Sequence, residues 1–234
     1  WAIEDIPAPA FIGRRLLATD ANSPSIVEAA RRTETPIEHI PLSDIASYID
    51  WSPFFHTWEL RGRYPKIFDD PSVGDEAKKL FADAEELLAL ILDEHSLQAR
   101  GAIAFWPANS DGDDIVTFSD PDRTTRLATF HTLRQQAPRS DGKPNFALAD
   151  FIAPLSSGRP DFLGGFVVTA GLGASDLCRH FLMKHDDYNR IMTEALADRL
   201  AEAFAEYMHK RAREFWGFGS NESLTTEDLI HERY

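Results

Sequence analysis

The chain of 234 residues has a single cysteine, Cys178, and therefore cannot form an internal disulfide. One thiol is typical of a protein from a reducing compartment, and its helical-looking surroundings favour an inert buried thiol over a nucleophile. No apolar run approaches the roughly 18 residues that a membrane span needs. The first residues, WAIEDIPAP, lack the basic start and apolar centre of a signal peptide. These absences predict a cytoplasmic protein that does not cross a membrane.

Positive charge is also scarce, since 24 Lys and Arg face 38 Asp and Glu, for a net charge of −14. Nucleic acid is not expected as a partner, because phosphate binding requires a clustered cationic surface. The common catalytic motifs are missing: there is no G-x-G-x-x-G, Walker loop, H-E-x-x-H or nucleophile elbow. No acid–base or phosphate-binding motif therefore assigns a reaction to the chain.

What the chain does have is an unusual concentration of aromatic side chains in residues 48–60, YIDWSPFFHTWEL, which we call the aromatic segment. Its thirteen residues include two Trp, two Phe and one Tyr. Such density predicts a core position, because each ring buries a large apolar area. Asp50 is the exception, since a carboxylate among rings must find a donor or a cation, or else become protonated.

Hydrophobic periodicity predicts several helices. The first begins near Ser72, which has capping-box spacing with Asp75 and precedes apolar residues at intervals of three and four. Two more are predicted from Ala174 to about His185 and from about Asp187 to Phe215, with a short one from Thr225. Residues 1–47 contain five prolines and are expected to form an extended lead-in with a partial helix over SPSIVEAARR.

The middle of the chain is predicted to be rich in strands. GAIAFWPA and DIVTFS flank NSDGD, a turn of residues that tolerate positive φ, and are expected to form a hairpin. Further strand candidates are TRLATFHTL, FALADFIAP and FLGGFVVTAG, where Gly164 and Gly165 indicate a bulge or a close backbone approach. A helix, several strands and then long helices, without regular βαβ alternation, predict an α+β fold with a mostly antiparallel sheet.

Two other clusters have simpler explanations than a catalytic site. His180, His185 and Asp186 could indicate a metal site, but the histidines are five residues apart and do not share one helix face. The aspartates at 186 and 187 fall between two predicted helices, where capping explains them. Asp198, Glu202 and Glu206 recur every four residues, as on a solvated helix face, although Glu202 lies beside the apolar stripe and could border a cleft.

Seven strings, in order along the chain, resemble one known family. They are YIDWSPFFHTWELRGRYPKIFDD, VGDEAKKLFADA, PANSDGDDI, LRQQ, LADFIAP, HDDYNRIMTEALADRLAEAFAEYMHKRAREFWGF and LIHERY. They resemble the activation (reactivation) domain of cobalamin-dependent methionine synthase, over roughly residues 8–234. The resemblance implies a C-shaped single α+β domain over residues 48–234, with a twisted antiparallel sheet flanked by long helices.

The resemblance also implies a function. Domains of this family bind S-adenosylmethionine (AdoMet) and contact a cobalamin that is held by a partner domain or subunit. When the cobalt has oxidised to its inert cob(II) state, a flavodoxin-like donor reduces it and AdoMet remethylates it. Methyl transfer from a sulfonium to a nucleophilic cobalt needs no general base, which agrees with the missing catalytic motif. The matching positions for contacts to AdoMet are Asp50, Glu202 and Glu232, with no metal ligand and no catalytic side chain.

Two questions stay open at this level. The family continues past LIHERY into a loop, R-P-A-P-G-Y-P, that holds the AdoMet carboxylate and adenine, whereas this chain stops at Tyr234. The chain is expected to be either a fragment or a shorter protein that has lost half of the pocket. The alternative function is accordingly a docking or capping module for a corrinoid domain that no longer binds AdoMet.

An electron donor of the flavodoxin kind poses an electrostatic difficulty, since flavodoxins are acidic and a partner of net charge −14 repels them at long range. Docking would require a local basic patch. The candidates are Arg61, Arg63 and Lys66, or Lys210, Arg211 and Arg213.

Overall fold

The structure is a computed structural model, and it describes residues 6–138 and 142–218. Within these ranges the helices are α1 Pro24–Thr33, α2 Leu42–Ala46, α3 Ser52–Thr57, α4 Gly74–Asp93, α5 Ala174–Met183 and α6 Asp187–Trp216. The strands are β1 Gly13–Ala18, β2 Ile37–His39, β3 Gln98–Asp111, β4 Asp114–Phe118, β5 Arg126–His131 and β6 Asp161–Leu172. The short helix predicted from Thr225 lies outside the described residues.

The described strands form one open sheet in the order β2-β1-β3-β4-β5, and β6 pairs with β3 as well. β1 and β2 are parallel, whereas β3 with β4 and β4 with β5 are antiparallel. The predicted hairpin is confirmed: Asp111 pairs with Asp114 across a turn in which Gly112 has φ +64°. The α+β fold expected from the element order is therefore confirmed.

Two compact units can be recognised, and each is described by itself. Among the described residues, the first comprises 6–14, 103–138, 142–166 and 212–218, and the second comprises 15–102 and 167–211. The expectation of a single domain over 48–234 stays a prediction. No helix in the described ranges combines the length and the apolar character that crossing a membrane would require.

The helix predicted near Ser72 exists, but its start is not formed by the expected capping box. α4 begins at Gly74 and turns its predicted apolar stripe inward, with Leu80, Leu87 and Ile91 buried. Asp70, rather than Ser72, satisfies the backbone ahead of it, since Asp70 Oδ1 accepts hydrogen bonds from the N–H groups of Ser72 (2.8 Å) and Val73 (3.3 Å). The capping-box prediction is wrong because an aspartate upstream makes these bonds first.

The lead-in has more regular structure than its prolines indicated. The predicted partial helix is confirmed as α1, which begins at Pro24. Proline is well suited to the first position of a helix, because the N–H that it lacks would have no partner within the helix. Outside α1, this stretch contributes β1 and β2 to the sheet, and the side chains of Leu17 and Ile40 are almost fully buried. Hydrogen bonds to residues far along the chain stabilise this lead-in. For example, the Thr19 N–H donates to the Ala99 carbonyl at 3.0 Å.

FALADFIAP, residues 146–154, is not a strand, so this prediction is wrong. Residues 148–151 form a 3₁₀ turn, and the backbone N–H of Ala147 donates to Asp150 Oδ2 at 2.9 Å. Arg134 donates hydrogen bonds to both carboxylate oxygens of Asp150, at 2.6 and 2.8 Å. These bonds, together with that from the Ala147 N–H, lower the pKa of Asp150 to about 2. A charged anchor therefore folds this apolar stretch into a turn.

Candidate functional site

Asp50 lies two residues before the start of α3 and is half-buried. Its Oδ1 accepts a hydrogen bond from the backbone N–H of Ser52, the first residue of α3, at 2.9 Å. No donor within the described ranges reaches its second oxygen. One oxygen thus has a structural role at the start of the helix, while the other can accept a hydrogen bond or face a cation.

The aromatic segment around Asp50 is a core element, as its composition predicted. Phe54 and Phe55 are fully buried, and Tyr48 is nearly so. Trp51, next to Asp50, is half-buried and packs edge-on against Phe81 of α4, with ring centroids 4.9 Å apart. Asp50 therefore projects from a rigid aromatic support rather than from a loose loop.

Contacts with α6 hold the other end of this segment. The ring of Tyr48 packs edge-on against Tyr207 at 5.7 Å, and Lys210 Nζ donates to the Tyr48 hydroxyl at 3.2 Å. Arg211 donates to the Tyr207 hydroxyl and forms an ion pair with Glu38 of β2 at 2.8 Å. Burial raises the pKa of Tyr207, against the opposing effect of Arg211, so its hydroxyl stays protonated at neutral pH.

The other two predicted site residues fare differently. Glu202 is exposed on α6, beside the buried Ala203 and Phe204, and its carboxylate has no hydrogen bond or ion pair within the described ranges. No interaction in the described ranges links Glu202 to Asp50. Glu232 lies outside the described residues, so its role stays a prediction.

Neither Asp50 nor Glu202 lines the cavity of about 660 Å³ between α4, α5 and the start of α6. Three carboxylates of α4 line this cavity instead, from Asp83, Glu86 and Asp93. The sequence pattern did not single out these three carboxylates. Helical spacing places them on one face of α4, and Phe181 of α5 with Tyr188 and Asn189 of α6 completes the lining of the cavity.

The alternative metal site receives no support from the arrangement of its candidate ligands. Asp186 accepts hydrogen bonds from the backbone N–H and the side-chain amide of Asn189, at 3.0 and 2.7 Å. These bonds lower the pKa of Asp186 and confirm its capping role at the start of α6. No group of three or more His, Cys, Asp or Glu suited to a metal occurs among the residues that the structure describes.

The two candidate basic patches differ in whether their cations already have partners within the chain. Lys210 and Arg211 contact Tyr48 and Glu38, as described above. Arg61, Arg63 and Lys66 are exposed, and none has an ion-pair partner in the described ranges. The loop after the aromatic segment therefore presents three uncompensated positive charges on an acidic chain.

Comparison with known proteins agrees with this fold. The family model described as "Vitamin B12 dependent methionine synthase, activation domain" matches residues 41–234. A crystal structure of the MetH reactivation domain bound to AdoHcy is 41% identical in sequence and superposes with a TM-score of 0.85. This similarity covers 100% of the present chain and 67% of that chain. The chain therefore belongs to the family of vitamin B12-dependent methionine synthase activation domains.

Proposed function

We propose that the chain is an AdoMet-binding reactivation module, which positions AdoMet to remethylate reduced cobalamin in methionine synthase. The observation that carries this proposal is the related reactivation domain solved with AdoHcy, at 41% identity. AdoHcy is S-adenosylhomocysteine, the molecule that AdoMet becomes when it gives up its methyl group. A site that holds AdoHcy has the shape and the polar groups that AdoMet requires as well.

The residues present fit such a ligand. AdoMet carries two cationic centres, an ammonium and a sulfonium, and a carboxylate is the natural partner for the first. Asp50 has one oxygen without a donor in the described part of the chain and sits beside the half-buried Trp51, whose ring face attracts cations. Glu202, exposed on α6, is proposed as a second acidic contact, and Glu232 as a third.

When bound, the two cofactors would supply the reactivity: reduced cobalamin would provide the electron pair that accepts the methyl group, and the sulfur of AdoMet would keep the pair of the broken C–S bond, without any proton transfer. The chain then has to bind, orient and shield. Asp50 is suited to orientation because the Ser52 N–H holds its first oxygen and the aromatic segment holds its backbone. We therefore propose that the chain acts as a domain or subunit of a methyltransferase, with no catalytic side chain of its own.

Exchange of Asp50 for asparagine tests this site directly. Asp50→Asn keeps an acceptor for the Ser52 N–H but removes the charge, so AdoMet affinity should fall by at least ~1 kcal/mol, about fivefold in Kd. Calorimetric titration with AdoMet measures the change.

Asp70→Asn is the matched control, since Asp70 holds the Ser72 N–H in the same way at the start of α4. It should leave the affinity unchanged. Equal affinities of the Asp50 variant and the unaltered chain would remove Asp50 from the site.

We further propose two protein partners, a cobalamin-binding domain or subunit and a flavodoxin-like electron donor, in the cytoplasm. The exposed basic loop of Arg61, Arg63 and Lys66 is the proposed contact for the acidic donor, because local charge steers encounter despite unfavourable net charge. Arg63→Glu should slow cobalamin reduction several-fold at low salt, and the difference should vanish at high salt. Arg32→Glu, an equal charge change at another exposed position, is the control, and an equal slowing by both variants would exclude this loop as the contact.

The alternative function is a docking or capping module for a corrinoid domain without AdoMet affinity. The observation in its favour is that Glu202 is exposed and its carboxylate has no hydrogen-bond or ion-pair partner within the described ranges. Titrations distinguish the two functions. Binding of a cobalamin domain without any heat of AdoMet binding would favour the docking module.

A further inference from the structure

One face of α4 carries three carboxylates and two leucines. Asp83, Glu86, Leu87, Leu90 and Asp93 all line the cavity of about 660 Å³. From the first aspartate to the last, the helix rises about 15 Å at 1.5 Å per residue. We call the surface formed by this cavity and its neighbour, described below, the acidic groove.

The carboxylates that line the first cavity are not compensated by ion pairs within the described ranges, and the cation Lys79 borders the second cavity instead. Asp83, Glu86 and Asp93 have no ion-pair partner there, and the Tyr188 hydroxyl donates the single hydrogen bond to Asp83, at 2.7 Å. Burial and the bond to Asp83 raise the pKa of Tyr188 to about 12, so this hydroxyl stays a neutral donor. Three carboxylate charges therefore face the same opening.

Apolar side chains accompany these carboxylates. Leu87 and Phe181 line the floor of the cavity, and Leu90 is 43% exposed beside them. On α5, Leu182 and Met183 follow Phe181 and are 55% and 70% exposed. Adjacent exposed apolar side chains framed by charges are typical of protein-binding surfaces.

A second cavity, of about 410 Å³, lengthens the groove towards the start of α4. It shares Asp83 and Tyr188 with the first cavity, and its lining also includes Trp58, Leu60, Glu76, Lys79 and Leu80. Between Glu76 and Asp93 the helix rises about 26 Å, which matches a helix of about 17 residues lying alongside. The groove thus has the length for a helix and the amphipathic lining that helix-in-groove binding requires.

We propose that the acidic groove binds a basic amphipathic helix of a partner protein. Lysines or arginines on such a helix would pair with the three carboxylates, while its apolar side chains would cover Leu90 and the exposed end of α5. A small polycation would leave those apolar side chains in water, and an acidic partner would be repelled. The basic loop follows Trp58 and Leu60 in the chain, but Arg61, Arg63 and Lys66 line neither cavity, so a partner of the groove would meet the carboxylates rather than these cations.

A synthetic peptide of 18 residues provides the probe, with leucines at i, i+3, i+4 and i+7 and lysines elsewhere. Its binding to the whole chain is measured by calorimetry at about 0.15 M salt, where exposed charges more than ~8 Å apart are largely screened. A second peptide, with glutamate in place of every lysine, should not bind. Amide shifts in ¹⁵N NMR spectra should locate the lysine peptide along α4 and α5.

Two double variants separate the groove from general charge attraction. Glu86→Gln with Asp93→Asn removes two charges inside the groove, whereas Glu85→Gln with Glu94→Gln removes two from neighbouring positions of the same stretch that do not line it. Each changes the net charge of −14 to −12. The groove variant should weaken binding roughly tenfold and the control less than about twofold.

Equal weakening by both double variants, or peptide-induced shifts away from the groove, would overturn the proposal. Titration of the same variants with AdoMet distinguishes a failure of the groove proposal from a failure of the proposed function, because neither variant alters a proposed AdoMet contact. An unchanged AdoMet affinity with a tenfold weaker peptide affinity is the result that supports the groove.

Discussion

Two stretches of the chain are rich in large apolar side chains, but these side chains are buried in one stretch and exposed in the other. In the aromatic segment, Phe54 and Phe55 are 0% exposed. In residues 126–151, Phe130 is 47% and Phe151 67% exposed. Aromatic density alone therefore does not determine burial.

The difference comes from what packs against each stretch. The aromatic segment meets α4 through Phe81 and α6 through Tyr207, so its rings are covered from more than one side. β5 comes last in the sheet order, and its one strand neighbour in the described ranges is β4. Apolar side chains of an edge strand stay in water unless another element covers them.

The largest effect is expected in the aromatic segment. Phe55→Ala removes a fully buried ring that contacts Phe54, Phe68 and Phe81, so the free energy of unfolding should fall by about 3–5 kcal/mol. Urea denaturation followed by circular dichroism measures the loss. A loss below about 1 kcal/mol would mean that this segment is not the core that the structure shows.

An intermediate effect is expected inside the sheet, where two adjacent glycines of β6 make a matched pair. A Cβ at Gly164 would lie 2.7 Å from a ring carbon of the buried Phe105, whereas a Cβ at Gly165 would meet nothing within 4 Å. Gly164→Ala should therefore destabilise the chain by about 1–3 kcal/mol.

Gly165→Ala should have little effect on stability, and both variants can be compared by thermal unfolding. Equal effects would show that the close approach at Gly164 relaxes without cost. The result would sharpen the contrast between the inner face of the sheet, which is tightly packed, and its exposed aromatic edge.

The smallest effect is expected in the turn at residues 148–151, within the exposed stretch 126–151. Phe151→Ala removes a ring that is 67% exposed and 6.1 Å from the ring of Phe146, so stability should change by about 0.5 kcal/mol or less. The same urea denaturation serves as the measurement. A loss comparable with that of Phe55→Ala would break the comparison, because it would place Phe151 in a core.

Much of the fold could be predicted because its signals are local. The periodicity of α4 and the turn residues around Gly112 act within a few residues, and both predictions are confirmed. The wrong predictions concern segments whose conformation depends on residues far away in the chain. Arg134 holds Asp150 and makes a turn of residues 148–151, and no spacing within that stretch indicates such an anchor.

The candidate site divides in the same way. The sequence alone shows that Asp50 lies among aromatic residues, and the structure confirms that the rings of Phe54 and Phe55 are buried. The hydrogen bond to Ser52 and the open second oxygen depend on the local backbone, which composition does not specify. The acidic groove could not be predicted, because residues of α4, α5 and α6 must come together before three carboxylates border one cavity.

By itself, the sequence determined the class of fold, the family and the identity of the aromatic core, because periodicity and ordered motifs are properties of the chain. Tertiary structure alone decided which apolar stretch is buried, which basic patch stays open and where carboxylates face a groove. These outcomes depend on contacts between residues far apart in the chain, such as Lys210 with Tyr48, and no local pattern encodes such contacts.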